Sequence, residues 1–215
     1  MLLKNTNLIK RMFITLEGIE GSGKSTLIKN LNNYLSNLDI DVLFTREPGA
    51  TNTGKNIRNL LLSPDTDLSS EAELLLIMAD RVEHIKNIIT PNLNLNKLVV
   101  SDRYIDSTIA YQGGGRKINL KLIKSLIKSL KMPVPDLTFL IDVTVETGLS
   151  RAKDRAELDR FEVEEMDFHE RVRRAYLKIA EQEPERVIKI NGNQDEVAVF
   201  NDVKHFLEMK LTDNE

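Results

Sequence analysis

The residues Gly18-Ile19-Glu20-Gly21-Ser22-Gly23-Lys24-Ser25 fill every fixed position of the pattern G-x-x-x-x-G-K-[ST], and Thr26 follows them. Each residue type has a task in holding a triphosphate. The glycines let successive backbone N–H groups turn inward around phosphate oxygens, and a helix starting at the loop adds the partial positive charge of its N-terminus. Lys24 then reaches the β- and γ-phosphates, and Ser25 offers a hydroxyl to Mg²⁺. The stretch from Gly18 to Thr26 is therefore a candidate ATP site, with ATP and Mg²⁺ as the implied cofactors. Glu20 is unusual in an anion cradle, because its carboxylate repels phosphate unless it points elsewhere.

A second carboxylate, Asp102, follows the apolar run Leu98-Val99-Val100-Ser101. In an open parallel sheet the ligand sits beyond the carboxyl ends of the strands. Asp102 is thus placed to hold the Mg²⁺ that Ser25 also touches, through water, since Mg²⁺ keeps much of its hydration shell. Arginines recur in short motifs: Thr45-Arg46-Glu47-Pro48-Gly49-Ala50-Thr51, Arg58, Ala79-Asp80-Arg81, Asp102-Arg103-Tyr104, and the run from Ser107 and Thr108 through Tyr111 and Gln112 to Arg116. Phosphoryl transfer between two polyanions requires positive charge around both phosphates. His84, His169 and His205 have no spacing that fits a metal site and read as ordinary surface or packing residues.

Those motifs need strands and helices to bring them together. Strand candidates are Met12 to Glu17, Ile40 to Thr45, Lys97 to Ser101, Leu137 to Ile141 and Arg186 to Ile190, each short, apolar and bounded by turn or charged residues. Between them the period is helical: Leu27, Ile28, Leu31, Tyr34 and Leu35 form one stripe, Ile123, Leu126, Ile127 and Leu130 another, and Val172, Ala175, Tyr176 and Ile179 a third. Strands alternating with helices imply an α/β fold, a five-stranded parallel sheet with helices on both faces and the stripes turned to the sheet. The charged stretch from Arg151 to Glu165 is too polar to be core along its whole length and is a candidate lid, centred on residues 151–162. Residues 1–11 are polar and aperiodic and read as a loosely ordered extension, leaving one domain over 12–215.

Composition fits that reading. The chain of 215 residues is 41% hydrophobic and 29% charged, inside the globular range. A formal charge of -3 disfavours general nucleic-acid binding, which needs a concentrated basic face. There is no cysteine, which excludes disulfides and thiolate metal sites. No apolar run reaches the ~20 residues of a membrane helix and no signal-peptide pattern follows Met1, so the cytoplasm is the expected compartment.

From Met12 to about Leu177 the motifs follow one another in the order and at the spacings of the thymidylate kinases, and the chain resembles that family of P-loop nucleoside monophosphate kinases. The resemblance implies transfer of a phosphoryl group from ATP to dTMP by a homodimer, with the helix from Leu74 to Met78 as a possible contact surface. It implies that Arg103 and Arg58 hold the acceptor's 5′-phosphate, that Arg81 with Thr108 and Gln112 reads the thymine edge, and that Tyr111 lies beside the deoxyribose. The acceptor would lie between the Glu47-Pro48-Gly49 loop and the helix of Arg81, with Ser107 close by. In that family an acid in the position of Glu20 faces the sugar and its 3′-hydroxyl, and the resemblance implies the same role here.

Two positions depart from the commoner pattern. Some family members carry an arginine where this chain has Gly21, so a transition-state cation must come from elsewhere. Arg151, Lys153, Arg155 and Arg160 are the lid candidates, with Arg155 and Arg160 preferred, beside Lys24 and Arg103, as catalytic groups. The family's usual Phe, which stacks on the base, is Ile77 here, and Met78 is its neighbour for partial compensation. Ile77 keeps open a sister kinase acting on another nucleoside monophosphate or a deoxynucleoside. A nucleotide-binding module without transferase activity is a further alternative, against which stand Lys24, Ser25, Asp102 and the lid arginines.

Overall fold

The computed structural model describes residues 11–38, 40–154 and 159–212. The strands are β1 (Met12–Glu17), β2 (Val42–Arg46), β3 (Leu98–Asp102), β4 (Leu137–Asp142) and β5 (Val187–Asn191). They form one parallel sheet in the order β2-β3-β1-β4-β5. All six residues of β1 are buried, as expected of a central strand covered on both faces. Within it the pleat sends Ile14 and Leu16 to one core and Phe13 to the other.

One face is covered by α1 (Lys24–Ser36) and α9 (Glu196–Thr212), whose Leu27, Leu31, Leu35, Val203 and Leu207 pack on β1, β3 and β4. The opposite face carries α3 (Ser70–His84), α4 (Thr90–Asn94), α6 (Leu120–Ser129), α7 (Val145–Lys153) and α8 (Met166–Gln182). Two π-helical segments, Ile85–Ile89 and Ile109–Gly115, follow α3 and the short α5 (Ile105–Thr108). The second carries Tyr111 and Gln112, in keeping with the use of π segments at functional sites. The remaining helix, α2 (Asn52–Leu62), starts at Thr51, whose hydroxyl accepts the Gly54 N–H at 2.9 Å.

The expected strands are present, β1 with the expected ends and the others with ends displaced by at most two residues. One stripe is shorter than its period suggests: Ile123 is buried, whereas Leu130 lies just past the end of α6 and is 43% exposed. Strand order reverses direction around β1, with β3 on one side and β4 on the other. That switch point is where an open α/β sheet leaves a crevice at its carboxyl ends.

Candidate active site

The loop from Gly18 to Gly23 leaves β1 and enters α1 through Gly23, at φ 97°. Gly21 has φ 64°, and a Cβ there would stand 1.9 Å from the Gly148 carbonyl oxygen of α7. No side chain fits, which gives a physical reason why this chain carries no arginine at that position. The Lys24 ammonium donates to the carbonyls of Gly18 and Ile19, both at 3.0 Å, and to the Ser22 hydroxyl at 3.1 Å. Burial, then the nearby Arg103 charge, lowers its pKa to about 8 against the pull of Asp102, Glu20 and Glu17.

This loop forms one end of a cavity of about 510 Å³. Its lining includes Glu20, Gly21, Lys24, Ser25 and Thr26 at that end, Asp102, Arg103, Ser107 and Tyr111 in the middle, and Glu47, Pro48, Arg58, Ile77, Arg81, Thr108 and Gln112 beyond. Asp102 Oδ1 is buried and has no hydrogen-bond partner among the described residues. An orphaned carboxylate oxygen of a residue lining the same cavity as Ser25 suits a hard cation with oxygen ligands, so the residues fit Mg²⁺.

Arg103 holds the centre. Its backbone is left-handed, φ 67°, a conformation rare for a long side chain and typical of functional sites. The guanidinium donates to the Gly18 carbonyl at 2.9 Å and to Glu20 Oε1 at 3.1 Å, and lies 5.0 Å from the centre of the Tyr111 ring. Glu20 therefore does turn from the phosphate cradle, toward Arg103 and the Tyr111 hydroxyl at 2.5 Å. Burial pushes its carboxyl up, but Arg103, the Tyr111 hydroxyl and Lys24 outweigh burial and hold it below the usual range.

Beneath Arg103 lies Glu17, the last residue of β1. Its carboxylate accepts the Tyr104 N–H at 2.8 Å, the Ser107 hydroxyl at 2.6 Å and the Tyr176 hydroxyl at 2.9 Å. Burial, with Asp106 adding repulsion, raises its pKa to about 7. Sequence reasoning passed over Glu17, taking it as the end of an apolar strand.

At the far end Glu47 Oε2 accepts Arg81 Nε at 2.6 Å, and Oε1 faces His84 Nδ1 at 2.8 Å. Arg81 also donates to the Thr108 hydroxyl at 2.7 Å and the Tyr104 carbonyl at 2.9 Å. It is fully buried, and despite that burial the Glu47 charge keeps its pKa above the ordinary value. Arg58 donates to the Pro48 carbonyl at 2.9 Å; burial and the repulsion of Arg46, which also lines the cavity, lower its pKa. Gln112 donates to Glu73 at 2.8 Å.

Several expectations are corrected. His84 and His169 are both buried, as packing residues are, but His84 is more than that, bridging Glu47 and, at 2.7 Å, the Thr45 hydroxyl. Met78 is buried in the core with Leu74 and does not line the cavity, so it cannot meet a base there, whereas Ile77 does line it. In the helix from Leu74 to Met78, Leu75 is exposed at 59% while Leu74 and Met78 are core. Arg160 does not line the cavity. Its guanidinium donates to Glu73 at 2.7 Å and to the Leu61 carbonyl at 2.8 Å, fastening its segment to α2 and α3. Arg155 lies outside the described residues; from the same stretch Arg151, Asp159, Phe161 and Glu162 line the cavity.

Glu73, missed in the sequence, is the hub of this end: fully buried, it receives Gln112, Arg116 and Arg160. A signal existed, since Glu73, Ile77, Asp80, Arg81 and His84 recur at helical spacing along one face of α3.

A phosphate loop at one end of the cavity and the buried Arg81 with the half-buried Arg58 at the other, set at the switch point of a parallel sheet, define a P-loop kinase with a small anionic acceptor. The sequence profile of the thymidylate kinase family matches residues 16–203. Thymidylate kinase of Carboxydothermus hydrogenoformans is 48% identical over 197 residues, 91% of this chain and 96% of that protein. That of Protochlamydia amoebophila is 43% identical over 216 residues, 96% of each. A crystal structure of thymidylate kinase from Ehrlichia chaffeensis, 39% identical, superposes with a TM-score of 0.76 over 93% of this chain and 99% of that one. The chain belongs to the thymidylate kinase family and is an ATP-dependent kinase.

Proposed function

We propose that the chain transfers the γ-phosphoryl group of ATP to dTMP, giving dTDP for dTTP synthesis, and that residues 12–215 act as one kinase domain with residues 151–162 as its lid. ATP lies on Gly18 to Thr26, its phosphates taking the backbone N–H groups and Lys24. The Lys24 ammonium exchanges its three loop acceptors for phosphate oxygens, a trade of neutral for charged partners that favours binding. Ser25 and Asp102 would hold Mg²⁺, which when bound neutralises charge developing on the transferred group.

dTMP enters between the Glu47-Pro48-Gly49 loop and α3. Arg103 and Arg58 take its phosphate and bring an oxygen in line with the γ-phosphorus. Arg81, Thr108 and Gln112 read the base edge over Ile77, Tyr111 excludes a ribose 2′-hydroxyl, and Glu20 meets the 3′-hydroxyl. Glu47 and Ser107 orient these groups. Arg155 and Arg151 are the lid cations available to the transition state, while Arg160 acts by holding the lid to Glu73. A homodimer and a cytoplasmic location rest on the family resemblance; no helix among the described residues is long and apolar enough to cross a membrane.

The observation that carries this reading is one cavity whose lining runs from Lys24 to Arg81. The test is ADP release from ATP–Mg²⁺ with dTMP, dUMP, dCMP, dGMP, dAMP or thymidine as acceptor. The expected result is strong preference for dTMP; activity with another acceptor moves the function to a sister kinase, and none with any acceptor leaves a binding module.

A further inference from the structure

His169 has no role in the reaction as described, yet it is buried at 1% exposure. Neither of its ring nitrogens has a hydrogen-bond partner among the described residues. Its Nδ1 lies 3.8 Å from Glu20 Oε2, which is also buried and also without a partner. The other oxygen of the same carboxylate is committed to Tyr111 and Arg103. An imidazole always carries at least one N–H, and a carboxylate oxygen accepts along two lone pairs. Here a donor and an acceptor are each unsatisfied, each facing the other, and less than 1 Å beyond hydrogen-bond length.

The helix makes the pairing deliberate in space. His169 and Tyr176 stand seven residues apart on α8, hence on one face, and both are buried. Tyr176 reaches the Glu17 carboxylate and Arg103. The same face thus delivers one polar group to the anchor of Arg103 and another to Glu20.

We propose that His169 is a positioning residue for Glu20. A small rotation brings Nδ1–H onto Oε2, which fixes the carboxylate plane and leaves the second lone pair of Oε2 for the acceptor's 3′-hydroxyl. His169 thereby sets discrimination at the sugar 3′ position without touching substrate. The inference rests on the reading that Glu20 meets that hydroxyl.

The experiment compares dTMP with 3′-deoxythymidine monophosphate as acceptor. Replacing His169→Phe keeps the ring volume and removes the donor. KM for dTMP rises about tenfold, the size of one hydrogen bond to a charged group, while kcat stays within about twofold and KM for the 3′-deoxy acceptor does not move. A purely structural role would raise both KM values together, and that result overturns the proposal. If His169→Phe fails to fold, His169→Asn and His169→Gln carry the test, because the Asn amide stands near the place of Nδ1 and the Gln amide near that of Nε2. Discrimination kept by Asn and lost by Gln supports the proposal; equal behaviour overturns it. Glu20→Gln separates the two levels. If it leaves the dTMP advantage intact, the sugar reading itself fails and the inference with it. If it removes the advantage while His169→Phe does not, the role of His169 fails by itself.

Discussion

The two ends of the cavity are built from different materials. At the ATP end the backbone forms the cradle: Gly21 is pressed against the Gly148 carbonyl, and Lys24 is held by main-chain oxygens five and six residues away. At the acceptor end side chains are held by other side chains from distant segments. Glu47 meets Arg81 across 34 positions, Gln112 meets Glu73 across 39, and Arg160 meets Glu73 across 87. A local cradle tolerates little change in sequence, because each backbone position is fixed. A network of paired charges is tuned by exchanging partners, which suits the end that must distinguish one acceptor from another.

Removing the charge at each end separates them most sharply. Lys24→Ala lowers kcat by about 10²- to 10³-fold, as expected for loss of a preorganised cation, with the melting temperature little changed. Calorimetric dTMP binding to this variant stays near wild type if the ends are independent. Glu47→Gln acts in the opposite way, leaving the buried Arg81 without its counter-charge. It costs about 3 kcal/mol of stability in a denaturant titration and raises KM for dTMP far more than KM for ATP. Equal damage to both KM values would mean that the division is false.

Glu17 joins the two ends, so its titration should be felt by both. Its folded pKa of about 7 lies above the ordinary 4.5, so between those values the folded state binds more protons than the unfolded one. Stability therefore falls as pH rises from about 4.5 to 7, and the penalty is complete above 7. Glu17→Gln removes that slope: the fall in melting temperature between pH 5 and pH 8 should shrink by roughly 5–10 °C. An unchanged slope would assign the pH dependence to other groups. The smallest effect belongs to the base. Ile77→Phe tightens dTMP binding by up to about tenfold through ring stacking, read by titration calorimetry. No change would mean that the base does not lie over α3.

The same contrast decides what the sequence discloses. The loop from Gly18 to Ser25, the five strands and Asp102 at the end of β3 are local patterns, and physics ties each to a few neighbouring residues. Arg160 shows where such reading ends. As a charge in a polar stretch it resembles a phosphate ligand, but a carboxylate 87 residues earlier, Glu73, takes its guanidinium. His84 and His169 were unremarkable in sequence because the carboxylates they stand near, Glu47 and Glu20, come from other segments. The polar recurrence along α3 was visible, yet a polar stripe on a helix ordinarily faces water, and only the fold turns this one inward.

The central claim is that this cavity moves a phosphoryl group rather than merely holding nucleotides. The most direct measurement follows ATP carrying heavy oxygen in its γ-phosphoryl group, mixed with Mg²⁺, dTMP and the protein, by the isotope shift in phosphorus NMR. The account predicts the label in the β-phosphoryl group of dTDP, with none released as phosphate and the transfer slowed about 10²- to 10³-fold by Lys24→Ala. Label appearing as free phosphate, or remaining in ATP while dTMP stays unchanged, would contradict it.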